Sequence, residues 1–295
     1  MMKNKTSIIL LVMLCLFMPS CEKISSEDSP SAQGEDGVNV TFRVSTYTLS
    51  PLGVSARRVR AEVGEVCSRI SYAVFDGDNK LKAVNQVVGD DGFGTLSLTL
   101  PLGTYRFVVI AHNGLGNATI TSPDKIAFSS NKCTDTFCYY QEVSITEDVA
   151  IDVTLKRVVA LVRFIVEDPI PSDVAQMKFY YIGGSSTLDA MSTYGCVNSK
   201  QTEYRDVDDE MRQGGGTFDL FTFPHAEKDT LKMTVTAMTS DNQIVQERTF
   251  TTVPVVKNSV TQYSGKFFGS SDDEGDLDVH FEVDTTWVQL SKYFY

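Results

Sequence analysis

From Val38 onward apolar and polar residues alternate with a period of two, which gives each extended segment one apolar and one polar face. Val38, Val40, Phe42 and Val44 alternate with Asn39, Thr41, Arg43 and Ser45. Ile70, Tyr72 and Val74 repeat the pattern before Asp76-Gly-Asp-Asn79, whose residues tolerate positive φ and predict a turn. Leu96, Leu98 and Leu100, then Tyr105, Phe107 and Val109, then Val149, Ile151, Val153 and Leu155 give three more strands. Beyond them the pattern predicts strands over Lys178–Ile182, Phe218–Phe223, Leu231–Met238, Ile244–Phe250 and Ser259–Phe268. Capped segments of helical period are scarce. Many short strands at regular spacing therefore predict an all-β fold of the sandwich kind. No repeat with a period of about 20–50 residues stands out.

Leu155–Val166 (LKRVVALVRFIV) is about twice the usual strand length. It reads as the last strand of one sandwich running into the first strand of the next, which divides the chain into an N-terminal sandwich over 38–157 and a C-terminal one over 158–295. Asp168-Pro-Ile-Pro171 stops the second strand, because proline cannot donate to a ladder. Ser270–Asp276 is an acidic, solvated loop. A final strand follows, with Val279, Phe281 and Val283 on one face and Asp278, His280, Glu282 and Asp284 on the other.

The region before Val38 has a different character. Met1–Lys5 is basic, and the apolar run that follows is too short to span a bilayer but suits a signal peptide over residues 1–20. Phe17-Met-Pro-Ser-Cys21 resembles a bacterial lipobox, which implies cleavage before Cys21 and acylation of its sulfur and new amino group. Two or more acyl chains anchor a protein stably where one does not. Residues 21–37 are acidic and rich in Ser, Gly and Pro, so they predict a flexible tether of roughly 20–25 Å.

Charge narrows the choice of partner. The net charge of −12 becomes more negative when Lys3 and Lys5 leave with the signal peptide, and such a chain has no basic surplus for a phosphate backbone. Nucleic acid is excluded as a partner on this ground. His112, His225 and His280 sit in no catalytic or metal-binding spacing, and no GxSxG elbow or phosphate-cradling glycine loop exists. The acidic clusters Asp206–Glu210 and Asp272–Asp278 do not match a calcium loop. The reading is a non-enzymatic protein with no cofactor and no metal.

Cys67, Cys133, Cys138 and Cys196 remain beside Cys21 in an exported chain, where disulfides can form. Their pairing is open. Cys133 and Cys138 flank a short loop and either close a local disulfide or stay free. Arg57, Arg58 and Arg60 form one basic knot in the loop expected after the first strand. It is either solvated surface or a site for an Arg-specific protease that would detach the tether and first strand. Trp287 is the only tryptophan, and Tyr139-Tyr140 and Tyr180-Tyr181 place one ring on each strand face. These aromatics leave open a glycan-binding surface lipoprotein as an alternative.

Four segments resemble a known family in order along the chain. They are Ile70-Ser-Tyr-Ala-Val-Phe-Asp-Gly77, Leu100-Pro-Leu-Gly-Thr-Tyr105 followed by Ala111-His-Asn113, Leu155-Lys-Arg-Val-Val-Ala160, and Val256-Lys-Asn-Ser-Val-Thr261 followed by Gly265-Lys-Phe-Phe268. With the lipobox and acidic tether, the chain resembles the FimB-type fimbrial anchor and accessory subunits of Gram-negative anaerobes. The resemblance implies two transthyretin-like sandwiches, lipidation at Cys21 on the outer membrane, and a place in a fimbrium whose stalk subunits join by strand exchange. It makes the C-terminal segment bearing Val279, Phe281, Val283 and Trp287 the candidate donor strand; the other reading is a strand that completes its own domain. Anchors of this family keep their first strand, whereas stalk subunits lose it to Arg-directed cleavage. The Arg57–Arg60 knot therefore departs from an uncomplicated anchor and leaves a stalk or tip-adhesin subunit as the nearer alternative.

Overall fold

The computed structural model describes residues 37–49, 58–213, 216–268 and 278–282. Strands dominate it. The first half holds β1 (Val38–Leu49), β2 (Arg58–Ala61), β3 (Arg69–Asp76), β4 (Asn79–Val87) and β5 (Thr95–Leu100), then β6 (Gly103–His112), β7 (Thr119–Ser122), β8 (Lys125–Ala127), β9 (Thr136–Ile145) and β10 (Val149–Arg157). The second half holds β11 (Ala160–Val166), β12 (Gln176–Gly184), β13 (Thr187–Asp189), β14 (Tyr194–Gly195) and β15 (Ser199–Asp206). It continues with β16 (Gly216–Thr222), β17 (Lys228–Met238), β18 (Ile244–Val256), β19 (Val260–Gly265) and β20 (Asp278–Glu282). The long apolar run splits between β10 and β11 at Val158-Val159.

In the first half β1 lies in the middle of one sheet, parallel to β10 on one side and antiparallel to β5 and β2 on the other. The facing sheet has the order β4-β3-β6-β9. Alternation along β1 explains the packing: Val40, Phe42 and Val44 point inward and meet Tyr72, Phe107 and Val109 from the opposite sheet. The Phe42 and Phe107 rings approach to 4.9 Å between centroids. Gly77 takes φ +53° in the turn that joins β3 to β4, a conformation glycine adopts without strain.

The second half repeats this plan. β11 is central, parallel to β19 and antiparallel to β16, and the facing sheet has the order β15-β12-β17-β18. Strand for strand, β1, β3, β4, β5, β6, β9 and β10 correspond to β11, β12, β15, β16, β17, β18 and β19. The inward residues correspond too. Val40-Thr-Phe-Arg-Val44 matches Val162-Arg-Phe-Ile-Val166, and Leu98, opposite Val40, matches Leu220, opposite Val162. Phe164 stacks on Tyr263 at 5.1 Å in this second core.

Each half carries one short insertion, at a different place in the plan. β7 and β8 lie between β6 and β9, whereas β13 and β14 lie between β12 and β15. The two insertions pair with each other through β8 and β13, which makes a four-stranded sheet shared by both halves. Beneath it is a third core, built from Phe75, Val108 and Ile110 of the first half with Leu161, Leu188 and Phe223 of the second. The described residues form one compact unit for this reason.

Phe223 is fully buried in this shared core. Phe223→Ala should lower stability by about 3–5 kcal/mol and split a single urea transition into two, since it loosens the junction while sparing both sandwich cores. A single, undiminished transition would contradict the shared core.

Candidate functional site

The residues with candidate roles fall into three places: the strand edges, the junction between the halves, and segments outside the described residues. Cys21, Arg57, Val283 and Trp287 belong to the last group.

Arg58 and Arg60 do not stand in a loop. They belong to β2, paired antiparallel with the end of β1 so that Arg58 faces Leu49 and Arg60 faces Tyr47. The sequence reading missed this because β2 is only four residues long, too short for the alternation in Arg58-Val-Arg-Ala61 to stand out from a basic loop. The physical reason for the pairing is the length of β1. β5 reaches only from Val38 to Arg43 along it, which leaves the far end to take a second partner. A protease needs an extended, unpaired substrate backbone, so β2 must peel away before any cut at Arg60.

Val279 and Phe281 lie on β20, which pairs antiparallel with β19 of the same chain over Val260–Ser264. The candidate donor segment thus caps the edge of its own second half, the alternative weighed beside donation. Five ladder positions hold it, and it stands at the edge of the sheet.

Cys133 and Cys138, weighed as a local disulfide, stand as free buried thiols. Cys138 lies on β9 opposite Ile110, while the Cys133 thiol donates to the Ser185 carbonyl at 3.5 Å. Burial pushes both thiols up, Cys138 to about 12, so neither is a poised nucleophile. Cys67 is raised for the same first reason, with Asp135 adding to it. Cys196 is the exposed one.

His112 closes β6 and is buried where the halves meet. Its Nδ1 accepts the Gly114 N–H at 3.0 Å, so in the neutral ring the proton sits on Nε2. Burial, helped by Arg69, lowers its pKa to about 4. A cavity of about 90 Å³ lies here, lined by His112, Phe128, Cys133, Glu203, Arg205 and Phe221. Glu203 accepts the Tyr181 hydroxyl at 2.7 Å and an Arg205 Nη2 hydrogen bond at 2.7 Å. Arg205 also donates to the Asp219 carbonyl at 3.2 Å, which ties the rim strands β15 and β16 together. Arg163 binds the Asp219 carboxylate with two bonds of 2.7 and 2.6 Å, and Arg157 binds Asp135 with two of 2.7 and 2.9 Å. These paired, buried charges fasten the fold; losing one partner would strand the other. No sequence signal pointed to this network, because its members lie far apart in the chain. Among the described residues no group of three His, Cys, Asp or Glu side chains is placed to hold a metal ion.

The strand edges offer backbone chemistry, N–H and C=O groups able to pair with another strand. Comparison with known proteins bears on it. The sequence profile of the family described as fimbrillin-A associated anchor proteins Mfa1 and Mfa2 matches residues 26–291. Among solved structures, a candidate adhesin from Bacteroides ovatus is similar in fold at a TM-score of 0.50 and 14% identity, over 77% of this chain and 87% of that one. The fimbrial anchor protein Mfa2 from Porphyromonas gingivalis aligns at a TM-score of 0.46 and 10% identity, over 84% of this chain and 98% of that one. A search of curated proteins returned no match.

Two outcomes follow from the buried groups. His112 binds its proton more weakly folded than unfolded, so its contribution is complete above about pH 6.5 and is lost as pH falls towards 4. Unfolding free energy should drop by up to about 3 kcal/mol across that window, and His112→Phe should flatten the slope. With a thiol reagent at pH 8, Cys196 should react in the native protein, and Cys67, Cys133 and Cys138 only after unfolding.

Proposed function

The chain belongs to the family of fimbrillin-A associated anchor proteins, and from that membership we propose that it is a non-enzymatic lipoprotein mooring a fimbrium to the outer membrane. The match over residues 26–291 carries this reading. Cys21, directly after an apolar leader and a small residue, supplies the point of acylation. Two or three acyl chains buried in the leaflet hold the protein stably. The acidic stretch from 22 to 37 then separates lipid from fold and leads into β1, the middle strand of the first sandwich.

The partner is a fimbrial stalk subunit, and the join is a strand passed between subunits. A sheet edge presents unpaired N–H and C=O groups that a strand of another chain satisfies. β20 is an example of such a pairing within this chain: it is short and lies along the edge of β19 over five ladder positions. Anchoring also requires that β1 stay with the lipid. Val40 and Phe42 are almost completely buried between β10 and β5, which suits a strand that is kept.

The decisive experiment compares wild type with Cys21→Ser in cells that make the fimbria. Wild type should incorporate labelled palmitate, sediment with the outer membrane and be found only at the base of purified fimbriae. Cys21→Ser should do none of these, and fimbriae should be shed. An N-terminus at Ala61 in the cell-derived protein would rule out a permanent anchor and indicate a processed stalk subunit instead.

A further inference from the structure

The two halves follow one plan, yet they differ at one edge. In the second half β20 pairs with the outer edge of β19, from Val260 opposite Glu282 to Ser264 opposite Asp278. The corresponding edge in the first half belongs to β10. Its pairing with β9 is confined to Lys156 opposite Cys138 and Arg157 opposite Phe137. Among the described residues nothing pairs with that edge over Val149–Thr154.

Burial tracks this difference. Val40 and Phe42 correspond to Val162 and Phe164, so their parallel partners correspond as well: Val149 and Ile151 match Thr261 and Tyr263. Thr261 and Tyr263 are 1% and 4% exposed. Val149 and Ile151 are only half-buried, although Val153 and Leu155 further along β10 are fully covered. Across the seam Tyr139 and Val143 of β9 are half-buried too. Among the described residues, an apolar seam with an unpaired backbone edge thus opens in the first half at the place that β20 occupies in the second.

We propose that the outer edge of β10, Val149–Thr154, is an acceptor for the terminal strand of the fimbrial subunit that this chain carries. The repeat identifies the occupant. It is an extended strand of β20 type, running antiparallel to β10 as β20 runs to β19, with alternate apolar side chains turned into the seam. Its N–H and C=O groups complete the ladder of β10, and its inward residues cover Val149, Ile151, Val143 and Tyr139. The proposal rests on the anchor reading for the identity of the partner, but the acceptor edge itself rests on the comparison of the two halves.

The test has two arms. In the first, full-length Cys21→Ser protein is mixed with a synthetic peptide of the sequence Asp278–Trp287, and hydrogen exchange is followed along the chain. The amides within residues 149–154 that point away from β1 should exchange about tenfold more slowly, and a peptide carrying Phe281→Pro, which cannot complete the ladder, should have no effect. Unchanged exchange at 149–154 with saturating peptide, or protection only at another edge, would overturn the proposal. In the second arm, Ile151→Lys places a charge in the seam of the otherwise native protein in cells. Fimbriae should be released while the protein stays with the envelope; fimbriae that remain attached would also overturn it. Val149→Lys, at the start of β10, serves if Ile151→Lys fails to fold. Should wild-type protein prove absent from fimbriae, the anchor reading falls, and the peptide arm still decides the acceptor edge.

Discussion

Ala73, Phe75, Val108 and Ile110 point away from the core of their own sandwich, and the rest of the molecule depends on what covers them. Leu161 and Phe223 from the second half do so, with Ile120 and Ile126 of the β7–β8 insertion. Each large apolar side chain moved out of water gains about 1.5–3 kcal/mol. A handful of them matches the whole net stability of an ordinary domain, about 5–15 kcal/mol. Contacts between domains of one chain are usually more polar than this and permit relative motion. Here β3 and β6 are covered on both faces, so the second half is part of what keeps the first half dry.

The shared architecture also shows how two copies of one plan came to act as one body. Their insertions sit at unlike positions, and each alone is a scrap of strand too short to be stable. Paired across the junction, β8 and β13 give one another a second partner beside β7 and β14 of their own halves. Charges are placed to match. Arg157 pairs with Asp135 beside the crossing from β10 to β11, with its guanidinium over the Phe137 ring at 4.7 Å. The repeat is uneven in structure: among the described residues β20 lies along the edge of β19, whereas no strand pairs with the matching edge of β10 over Val149–Thr154.

Much of this was legible in the chain. Period-two alternation located β1, β3, β5, β6 and β10, and the length of LKRVVALVRFIV marked a crossing that falls between Arg157 and Ala160. Other features were written in the sequence but open to misreading. Alternation in Ile70, Tyr72 and Val74 suggested one buried face on β3, yet Ala73 and Phe75 between and beside them are apolar as well, and an unbroken apolar run is the mark of a strand covered on both sides. The repeat escaped notice because equivalent positions share little beyond Val-x-Phe-x-Val, and its period is that of a whole sandwich. β2, β8 and β13 are only three or four residues long, too short for a periodic signal to count; a longer partner or an opposite insertion alongside completes them. The thiols of Cys133 and Cys138 flank a short loop, as a bridge would require, but Cys133 is committed to the Ser185 carbonyl of the other half.

The placing of β1 has a mechanical meaning. The chain enters the fold at the head of a strand that lies between neighbours on both sides, in register with β10 from Val40 to Thr46 and with β5 from Val38 to Arg43. A pull along that strand must slide it past both neighbours at once, so many hydrogen bonds resist together instead of parting one after another. An edge strand tugged sideways would unzip at far smaller force. A cell-surface protein dragged by flowing liquid through the chain that precedes Val38 would thus load its first sandwich in the direction in which that sandwich resists most.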